Sequence, residues 1–530
     1  GNRELIEPSL DISGPLSEDG RLLYRLNTLY RTEESFRDFD ADDERLFIAP
    51  VLSWQISDRT DLTLHFEYDD SEGASDAGLV ALGNEVADIP FDRVLGHPED
   101  FFESEIVRVG YDFEHRFSDN WKLRNAFRFN SFDVESAQFI GLSLNEATGD
   151  LNRALLSTNQ DQDHFELQTN VVGEFNTGTI EHTLLAGVDL FRRENPRSDT
   201  IGFLSQQTIN IFNPVYGPYP DPANDPTFID NNIKTDALGI YIQDQVNLLD
   251  NLKLLLGVRY ETFEQDIVNN PTLFNPTSSE TSQNDDAFSP RAGLVYQPVE
   301  ELSLYGSFSR SFAPNSETTV DGSFLEPERG EQFEIGARAE LLEGRLTTNL
   351  ALFNITKQNV AAPDPNNPMM FSVAVGEQRS RGIELDIAGE ILPGWNIIAN
   401  YAYTDTEITE DNNNAQGISN EGNRLFGVPE NNLNLWTTYD IQAGALEGLG
   451  FGIGFNYVSD RFGDNANSFE LDSYFLTNAA ISYKRDNWRA RLNIRNLFDI
   501  NYIEGSQNSR IFFISPGEGF TIIGSFSIEF

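Results

Sequence analysis

The sequence predicts an all-β fold, in the form of a transmembrane antiparallel β-barrel. Apolar and polar residues alternate in many segments that are longer than the about five or six residues usual for a soluble strand. The connections between these segments are alternately short and long. No stretch approaches the roughly 18 to 20 apolar residues that a membrane helix needs, and the mean hydropathy is only -0.39. Strands must therefore provide any membrane crossing.

The alternation is clear in two segments near the middle and the end of the chain. In "NLKLLLGVRYETF" the apolar residues are Leu252, Leu254, Leu256, Val258 and Tyr260. In "NWRARLNIRNLF" they are Trp488, Ala490, Leu492 and Ile494, and they alternate with Arg489, Arg491, Asn493 and Arg495. Successive side chains of a strand point to opposite faces. The apolar face is expected to contact lipid, and the charged face is expected to line the water-filled interior of the barrel, its bore.

The connections are sorted by length. Tight polar turns alternate with long loops rich in Pro, Asn and Asp. Examples of the tight turns are "SEDG" at 17–20, "SDN" at 118–120 and "RDN" at 485–487. The long loops are predicted at roughly 72–102, 139–157, 196–233, 268–284, 313–329 and 409–428. A soluble sandwich has no reason for this sorting. It is typical of transmembrane barrels, which have short periplasmic turns and longer outer loops.

The strand count is odd, with about 21 strands in one domain spanning residues 1–530. The first strand, near Arg3 to Gly14, and the last strand both run toward the periplasm. Because single-chain bacterial barrels have an even number of antiparallel strands, we expect one more upward strand before Gly1. The full barrel is then of the 22-stranded type, whose wide bore requires a plug.

Charge and composition exclude several classes of protein. The 85 acidic and 36 basic residues give a net charge of -49, which would repel nucleic acid. The acidic excess is either a solvated surface, a set of loops that hold divalent cations against anionic lipid headgroups, or an attraction for a cationic ligand. Cysteine is absent, which suits an oxidising periplasm or cell surface. The five histidines show no metal-ligand spacing. We therefore expect no metal site, no cofactor and no enzyme.

Several stretches resemble the TonB-dependent outer-membrane receptors, in particular the ferric-siderophore branch. They include "ALGIYIQDQVNLLDNLKLLLGVRYE", "FSPRAGLVYQPVEELSLYGSFSRSFAPN", "RSRGIELDIAGEILPGWNIIANYAYTDTEI" and "NIRNLFDINYIEG", and they cover most of residues 235–530. The resemblance implies TonB-driven uptake of a ferric siderophore across the bacterial outer membrane, with iron carried only as cargo. It also implies a signal peptide, a TonB box and a plug, none of which is seen in residues 1–530. The implied partners are TonB, the barrel assembly machinery, and lipid and lipopolysaccharide, with the protein a monomer.

Candidate ligand contacts come from aromatic and basic residues in or near long loops. They are Phe212, Tyr216, Tyr219, Phe228, Phe324, Met370, Phe371, Arg379 and Arg381. Rigid aromatics in the Pro-rich loop would stack on a planar chelator, although such a loop can equally pack its own cluster over the barrel mouth. Arg379 and Arg381 are expected to alternate into the bore, where they would contact an anionic chelate, a plug or water.

Two further predictions concern the end of the chain. Arg489, Arg491 and Arg495 are expected to face the bore and to dock a plug through charge-assisted hydrogen bonds. The terminal Phe530 closes an amphipathic last strand, "FTIIGSFSIEF", and resembles the signal read by the barrel assembly machinery.

Other ligands of the same receptor family remain open, namely haem, cobalamin or an oligosaccharide. Haem is disfavoured because no histidine follows His182, which leaves the expected loop without an axial ligand. An open diffusion porin is the alternative of a different class.

Overall fold

The structure is a computed structural model that describes residues 3–203, 206–222, 225–273, 275–315, 317, 319–320, 323–364, 372–413 and 417–530. Within these ranges, no helix is long and apolar enough to cross a membrane. Long antiparallel strands account for most of the described chain.

Twenty-three strand segments form one sheet in the described residues. The segments Leu5–Ile6 and Ser9–Pro15 both pair with the next strand and together form one interrupted strand, β1. The short segment Gln207–Asn210 belongs to an outer loop. The remaining strands are β2 Leu22–Glu33, β3 Asp43–Ser57, β4 Thr60–Ala74, β5 Phe101–Arg116, β6 Trp121–Asn145, β7 Asp150–Thr177, β8 Ile180–Ile201, β9 Thr227–Leu249, β10 Leu252–Asn269, β11 Ser279–Val299, β12 Leu302–Ala313, β13 Glu328–Leu341, β14 Leu346–Pro363, β15 Ser372–Leu392, β16 Trp395–Glu410, β17 Asn431–Asp440, β18 Leu449–Val458, β19 Tyr474–Arg485, β20 Trp488–Arg495 and β21 Thr521–Ile528.

These strands confirm the predicted count and the predicted alternation of connections. Each strand pairs antiparallel with the next along the chain. The short turns all lie at one end, and four of them, besides the longer turn at 441–448, contain glycines with positive φ, a conformation that other residues rarely adopt. These glycines are Gly20 (φ 68°), Gly178 (φ 69°), Gly344 (φ 82°) and Gly394 (φ 80°). The short-turn end is the predicted periplasmic end.

Apolar side chains form continuous rows on the outward face. In the register of β13 to β16, Ile335 lies opposite Leu352, which lies opposite Ile383, which in turn lies opposite Tyr403. All four are large and exposed, at 61%, 42%, 40% and 38%. A soluble sheet would bury such a row against another layer. The rows therefore agree with the predicted lipid-facing surface.

Tryptophan marks the short-turn end of this surface. Trp54, Trp121, Trp395 and Trp488 all lie within a few residues of a short turn. Trp121 lies against Gly173 of the neighbouring strand, where an added Cβ would be 2.4 Å from the indole. Aromatic girdles of this kind are typical of the membrane–water interface.

The predicted loops at the opposite end were partly wrong. The segment 139–157 is mostly strand: β6 and β7 run on to a turn at 146–149. The predicted loop at 196–233 is likewise shortened at both ends by β8 and β9. The cause is composition, because strands that rise above the membrane are polar on both faces and resemble loops in sequence.

The two ends of the sheet lie close together. The Arg3 guanidinium donates to Glu518 Oε1 (3.2 Å) and to Thr521 Oγ1 (2.9 Å). Both β1 and β21 run toward the short-turn end, and each pairs with one strand only in the part of the chain that the structure describes. The additional upward strand between them remains a prediction.

Candidate functional site at the outer mouth

Loops from distant parts of the chain interlock at the outer mouth and form what we call the cap, made of residues 75–100, 206–222, 459–473 and 496–520. Main-chain hydrogen bonds join three of these loops. Leu79 N donates to Ile514 O (2.7 Å), Ala81 N to Arg510 O (2.7 Å) and Glu470 N to Asn84 O (2.9 Å). The cap loops therefore hold one another in place.

A dry core lies inside the cap. Its buried members are Leu79, Val80, Ala81, Ala87, Ile89, Leu95, Leu151, Ile209, Ile211, Phe469, Leu471, Ile503 and Ile514. Several of them, including Leu79, Ile211 and Ile514, are 0% exposed. Such burial is unusual for loop residues, which normally lie on a solvated surface. The cap is therefore a packed unit that presents a preformed surface to the outside.

A polar cluster lies beneath the cap around the fully buried Arg153. Its guanidinium lies over the Phe139 ring at 4.6 Å and donates to the carbonyl oxygens of Leu95 (3.1 Å) and Gly96. The buried Asp100 Oδ2 accepts from the main-chain N–H of His97 (2.7 Å) and of Phe139 (3.0 Å). Burial raises the pKa of the Asp100 carboxyl to about 7. The predictions from sequence missed this cluster, because no spacing in the chain connects these residues.

The two predicted tyrosines belong to this cluster. Tyr216 donates its hydroxyl to Val94 O (2.8 Å), and Tyr219 donates to Ala137 O (3.1 Å). Both rings pack edge-on against His97, at 5.5 and 5.0 Å between centroids. These contacts hold the Pro-rich loop onto the barrel mouth. They favour the packing role that the sequence left open, and a direct ligand role for either tyrosine stays a prediction.

The other predicted aromatics have different surroundings. Phe212 is 48% exposed and remains accessible to a ligand. Phe228 is half-buried, with its ring 6.5 Å from that of Phe203, and Phe324 is half-buried as well. Met370 and Phe371 lie outside the described residues. A ligand role for each of these five residues stays a prediction.

Arg379 and Arg381 do not face the bore, so that prediction was wrong. By two-residue alternation they share the outward face of β15 with Ile383, and the polar residues Glu384 and Asp386 point inward. Each arginine pairs with a carboxylate of β16: Arg379 with Glu407, and Arg381 with Asp405 at 2.8 Å. The inward and outward faces were exchanged in the prediction because the segment 377–381 contains no apolar residue. Without one, the sequence does not indicate which alternate residues face lipid.

Arg489, Arg491 and Arg495 lie on the inward face of β20, as predicted. The other face of the same strand carries the apolar Trp488, Ala490, Leu492 and Ile494. None of the three has a carboxylate partner within 4.0 Å among the described residues. Docking of a plug at these arginines stays a prediction. Phe530 is fully exposed at the short-turn end, and its role as an assembly signal also stays a prediction.

A row of asparagines on the bore face connects the last strands to the cap. Asn434 Nδ2 donates to Asn432 Oδ1 (3.0 Å), Asn456 donates to Asn434, and Asn478 Nδ2 donates to Asn456 Oδ1 (3.0 Å). Asn496 N completes the row with a bond to Asn478 Oδ1 (2.9 Å). The Asn496 side chain then bonds both Ile500 O and Glu518 O, near the two ends of the loop 496–520. The row ties this cap loop to the wall of the bore.

Comparisons with known proteins agree with this architecture. Residues 53–497 match the family described as TonB dependent receptor-like, beta-barrel. The metal-pseudopaline receptor CntO of Pseudomonas aeruginosa is 33% identical, over 100% of this chain and 74% of that receptor. The ferrichrome outer membrane transporter and phage receptor of Escherichia coli is 29% identical, over 96% of this chain and 70% of that protein.

The fold is also similar to a solved structure. The siderophore receptor PiuA from Acinetobacter baumannii aligns with a TM-score of 0.88 at 22% identity, covering 98% of this chain and 79% of that one. At this identity the likeness shows the fold alone. The family match and the 33% identical relative show more: this chain belongs to the TonB-dependent receptors, β-barrel proteins of the bacterial outer membrane.

Proposed function

We propose that this protein binds a ferric siderophore at its outer mouth and imports it with energy supplied through TonB. The observation that carries the proposal is the cap, a packed set of outer loops that stands over a polar bore. A chelate that is scarce outside the cell needs a preformed site, because pre-organisation lowers the entropic cost of binding. Relatives that are 29% and 30% identical are named for ferrichrome and ferrioxamine B.

A second candidate cargo is a chelated metal other than ferric iron. The relative with 33% identity is named a metal-pseudopaline receptor. The two candidates share the chemistry of a metal ion enclosed in an organic chelator, and they differ in the metal and in the chelator.

Haem receives no support from the cap. His97 is the one histidine of the described cap residues, and it is 4% exposed. Its Nε2 contacts Gly217 O at 3.1 Å, and its Nδ1 accepts from Glu99 N at 3.2 Å. Both ring nitrogens are therefore engaged, and neither is free to ligate a haem iron.

The proposal includes no catalytic activity. The His65 ring contacts Asp112 at 2.7 Å, but that carboxylate is also held by Arg128 at 2.8 Å from both of its oxygens. This arrangement is a wall ion-pair network, without a hydroxyl nucleophile in hydrogen-bond contact with the histidine. We further propose that Phe530 is read during barrel assembly, that the outward face contacts lipid and lipopolysaccharide, and that the receptor acts as a monomer.

Binding of a chelate panel to the purified receptor tests the proposal. Ferrichrome, ferrioxamine B, a ferric tris-catecholate and pseudopaline complexes of divalent metals would each be titrated by isothermal calorimetry. We expect one ferric chelate to bind with a submicromolar Kd. Binding of only the pseudopaline complexes would favour the second cargo, and no binding by any member would overturn the proposal.

A further inference from the structure

A recess of about 610 Å³, which we call the wall recess, lies on the outward face of β13 to β16. Its floor is made of three aliphatic side chains from neighbouring strands, Ile335, Leu352 and Ile383. The rings of Phe333 and Tyr403, 51% and 38% exposed, flank this floor on β13 and β16. Each of these four strands pairs with a strand on both sides. The wall recess is therefore formed by the outside of a continuous sheet.

Polar residues form the upper rim of the wall recess. In one row across the strands, Asn354 lies opposite Arg381, which lies opposite Asp405. All three border the recess. The part of β15 from Arg381 down to Leu392 is close in length to the about 9 to 11 residues that cross the hydrocarbon. The rim therefore lies where the apolar surface ends, at the height of the headgroups of the outer leaflet.

The ion pair at this rim uses only part of each charged group. Nε and Nη2 of Arg381 both contact Asp405 Oδ2, at 2.8 Å. In the part of the chain that the structure describes, neither Arg381 Nη1 nor Asp405 Oδ1 has a hydrogen-bond partner. The two side chains are 55% and 34% exposed. One edge of a guanidinium and one carboxylate oxygen are therefore available side by side above an apolar floor.

A second outward recess, of about 760 Å³, has a similar aliphatic floor but a different rim. There, Arg192 Nε and Nη2 donate to separate oxygens of Asp236, at 2.6 and 3.0 Å. Glu264 lies directly opposite Asp236 and adds a further negative charge. This ion pair occupies both carboxylate oxygens, and its surroundings are acidic. The second recess therefore serves as a comparison for the wall recess.

The outward face above the apolar rows is also acidic on β4 to β6. Asp70 lies opposite Glu105, which lies opposite Asp133, with no basic residue between them. A lipid phosphate is repelled by such a row. The wall recess differs, because Arg381 balances its carboxylate and the amide of Asn354 lies beside the arginine. A phosphate can therefore approach the rim of the wall recess, provided that its charge is also balanced.

We propose that the wall recess binds a lipid with a phosphoethanolamine headgroup. An acyl chain lies on the aliphatic floor between the two rings. The phosphate accepts charge-assisted hydrogen bonds from the free edge of Arg381 and a hydrogen bond from the amide of Asn354. The ammonium group donates to the free Oδ1 of Asp405. A headgroup with both charges fits better than a purely anionic one, because Asp405 would repel a phosphate without an ammonium group.

The inference rests on the proposed lipid contact of the outward face, and it adds a site and a headgroup preference to that contact. It does not depend on chelate uptake.

Native mass spectrometry of the full-length receptor in detergent tests the inference. The probes are phosphatidylethanolamine, phosphatidylglycerol and phosphatidylcholine with identical acyl chains, and the measurement is the Kd of the first lipid bound. Phosphatidylglycerol has no ammonium group, and the quaternary ammonium of phosphatidylcholine has no N–H to donate. We expect phosphatidylethanolamine to bind roughly tenfold more tightly than either, the value of one hydrogen bond between charged groups.

Two variants separate the contributions of the two charges. Asp405→Asn should abolish the preference for phosphatidylethanolamine and strengthen the binding of phosphatidylglycerol, because Arg381 then has no carboxylate to balance it. Arg381→Gln should weaken the binding of all three lipids, roughly tenfold for phosphatidylethanolamine, because the phosphate loses its charged donor.

Arg192→Gln is the matched control, because it removes an outward arginine above the second recess. It should leave all three affinities within about twofold of wild type. Equal affinity of the wild type for the three lipids, or tighter binding of phosphatidylglycerol, would overturn the inference. Unchanged affinities in both Asp405→Asn and Arg381→Gln would also overturn it, since the lipid would then bind elsewhere. The calorimetry of chelate binding is a separate measurement, so the proposed function would stand in each of these cases.

Discussion

Two sides of the barrel reach the outside in different ways. On the tall side, β6, β7, β8 and β9 have 25, 28, 22 and 23 residues, although about 9 to 11 suffice to cross the hydrocarbon. On the low side, β17, β18, β20 and β21 have 10, 10, 8 and 8 residues. The tall side continues upward as sheet, with a turn at 146–149. The low side ends near the membrane and sends up the cap loops 459–473 and 496–520.

The two sides solve one physical problem differently. Main-chain polar groups above the membrane need hydrogen-bond partners or water. The tall side pairs them strand to strand, so its side chains can be polar on both faces. The low side satisfies them in loops that bury apolar residues such as Phe469 and Ile514, at 1% and 0% exposed. Stability outside the membrane therefore depends on strand pairing on one side and on a dry core on the other.

The largest effect is expected from a charge placed in the cap core. Ile514→Asp should cost several kcal/mol of local stability, because a carboxylate would lose its hydration without gaining a partner. The cap loops should become sensitive to limited proteolysis, and chelate binding should be lost. Leu273→Asp is the matched control, since Leu273 is 49% exposed beside the tall side. Equal protease resistance of the two variants would contradict a packed cap.

A proline tests whether the tall side is sheet above the membrane. Ser157 pairs with Ala137 on one side and with Thr200 on the other. Ser157→Pro should lower the free energy of unfolding of the sheet above the membrane by about 3 kcal/mol or more. The proline removes a main-chain hydrogen bond between two strands, and its ring clashes with the neighbouring backbone. Thr277→Pro, in a connection between strands, is the control. Hydrogen exchange that is unchanged around residue 157 would show that this segment is a loop after all.

The pH dependence of the cap follows from Asp100. Burial raises the pKa of its carboxyl from 3.8 to about 7, so the folded state holds this proton more tightly than the unfolded state does. Cap stability should therefore fall by about 4 kcal/mol as the pH rises from about 4 to 7, and stay level above that. Hydrogen exchange of the cap amides at pH 5 and pH 8 measures this. Asp100→Asn should flatten the profile, and a flat wild-type profile would contradict the burial argument.

The smallest effect is expected at Arg381. Its ion pair with Asp405 lies on the outward face, and its side chain is 55% exposed. Arg381→Gln should cost less than about 1 kcal/mol and leave chelate affinity within twofold of wild type. A tenfold loss of affinity would place this side chain at the ligand and reverse the assignment of the β15 faces.

Sequence reasoning succeeded where one face of a strand is apolar. The phase of β20 follows from Trp488, Ala490, Leu492 and Ile494, and the structure confirms it. The prediction of strand faces failed where the alternation of apolar residues is interrupted. Arg379 lies in the outer part of β15, where residues 377–381 include no apolar side chain to set the phase, and the polar tops of β6 and β7 have the composition of loops.

The site was harder to predict than the fold. His97, Asp100 and Arg153 come together only because a cap loop folds back against β6 and β7. The indole of Trp436 has room against the inner wall because the next strand has glycines there, Gly452 and Gly454. Neither arrangement leaves a local pattern in the sequence, since each depends on contacts between residues that are distant along the chain.

Lipid contact on one face of the strands is the central claim. The chain has no cysteine, so single cysteines at Leu492 and Asn493 can carry a fluorophore in receptor reconstituted with brominated lipids. We predict strong quenching at 492 and little at 493, with the reverse order for an aqueous quencher. Equal quenching at the two adjacent positions would contradict a barrel with one face in lipid and the other in a water-filled bore.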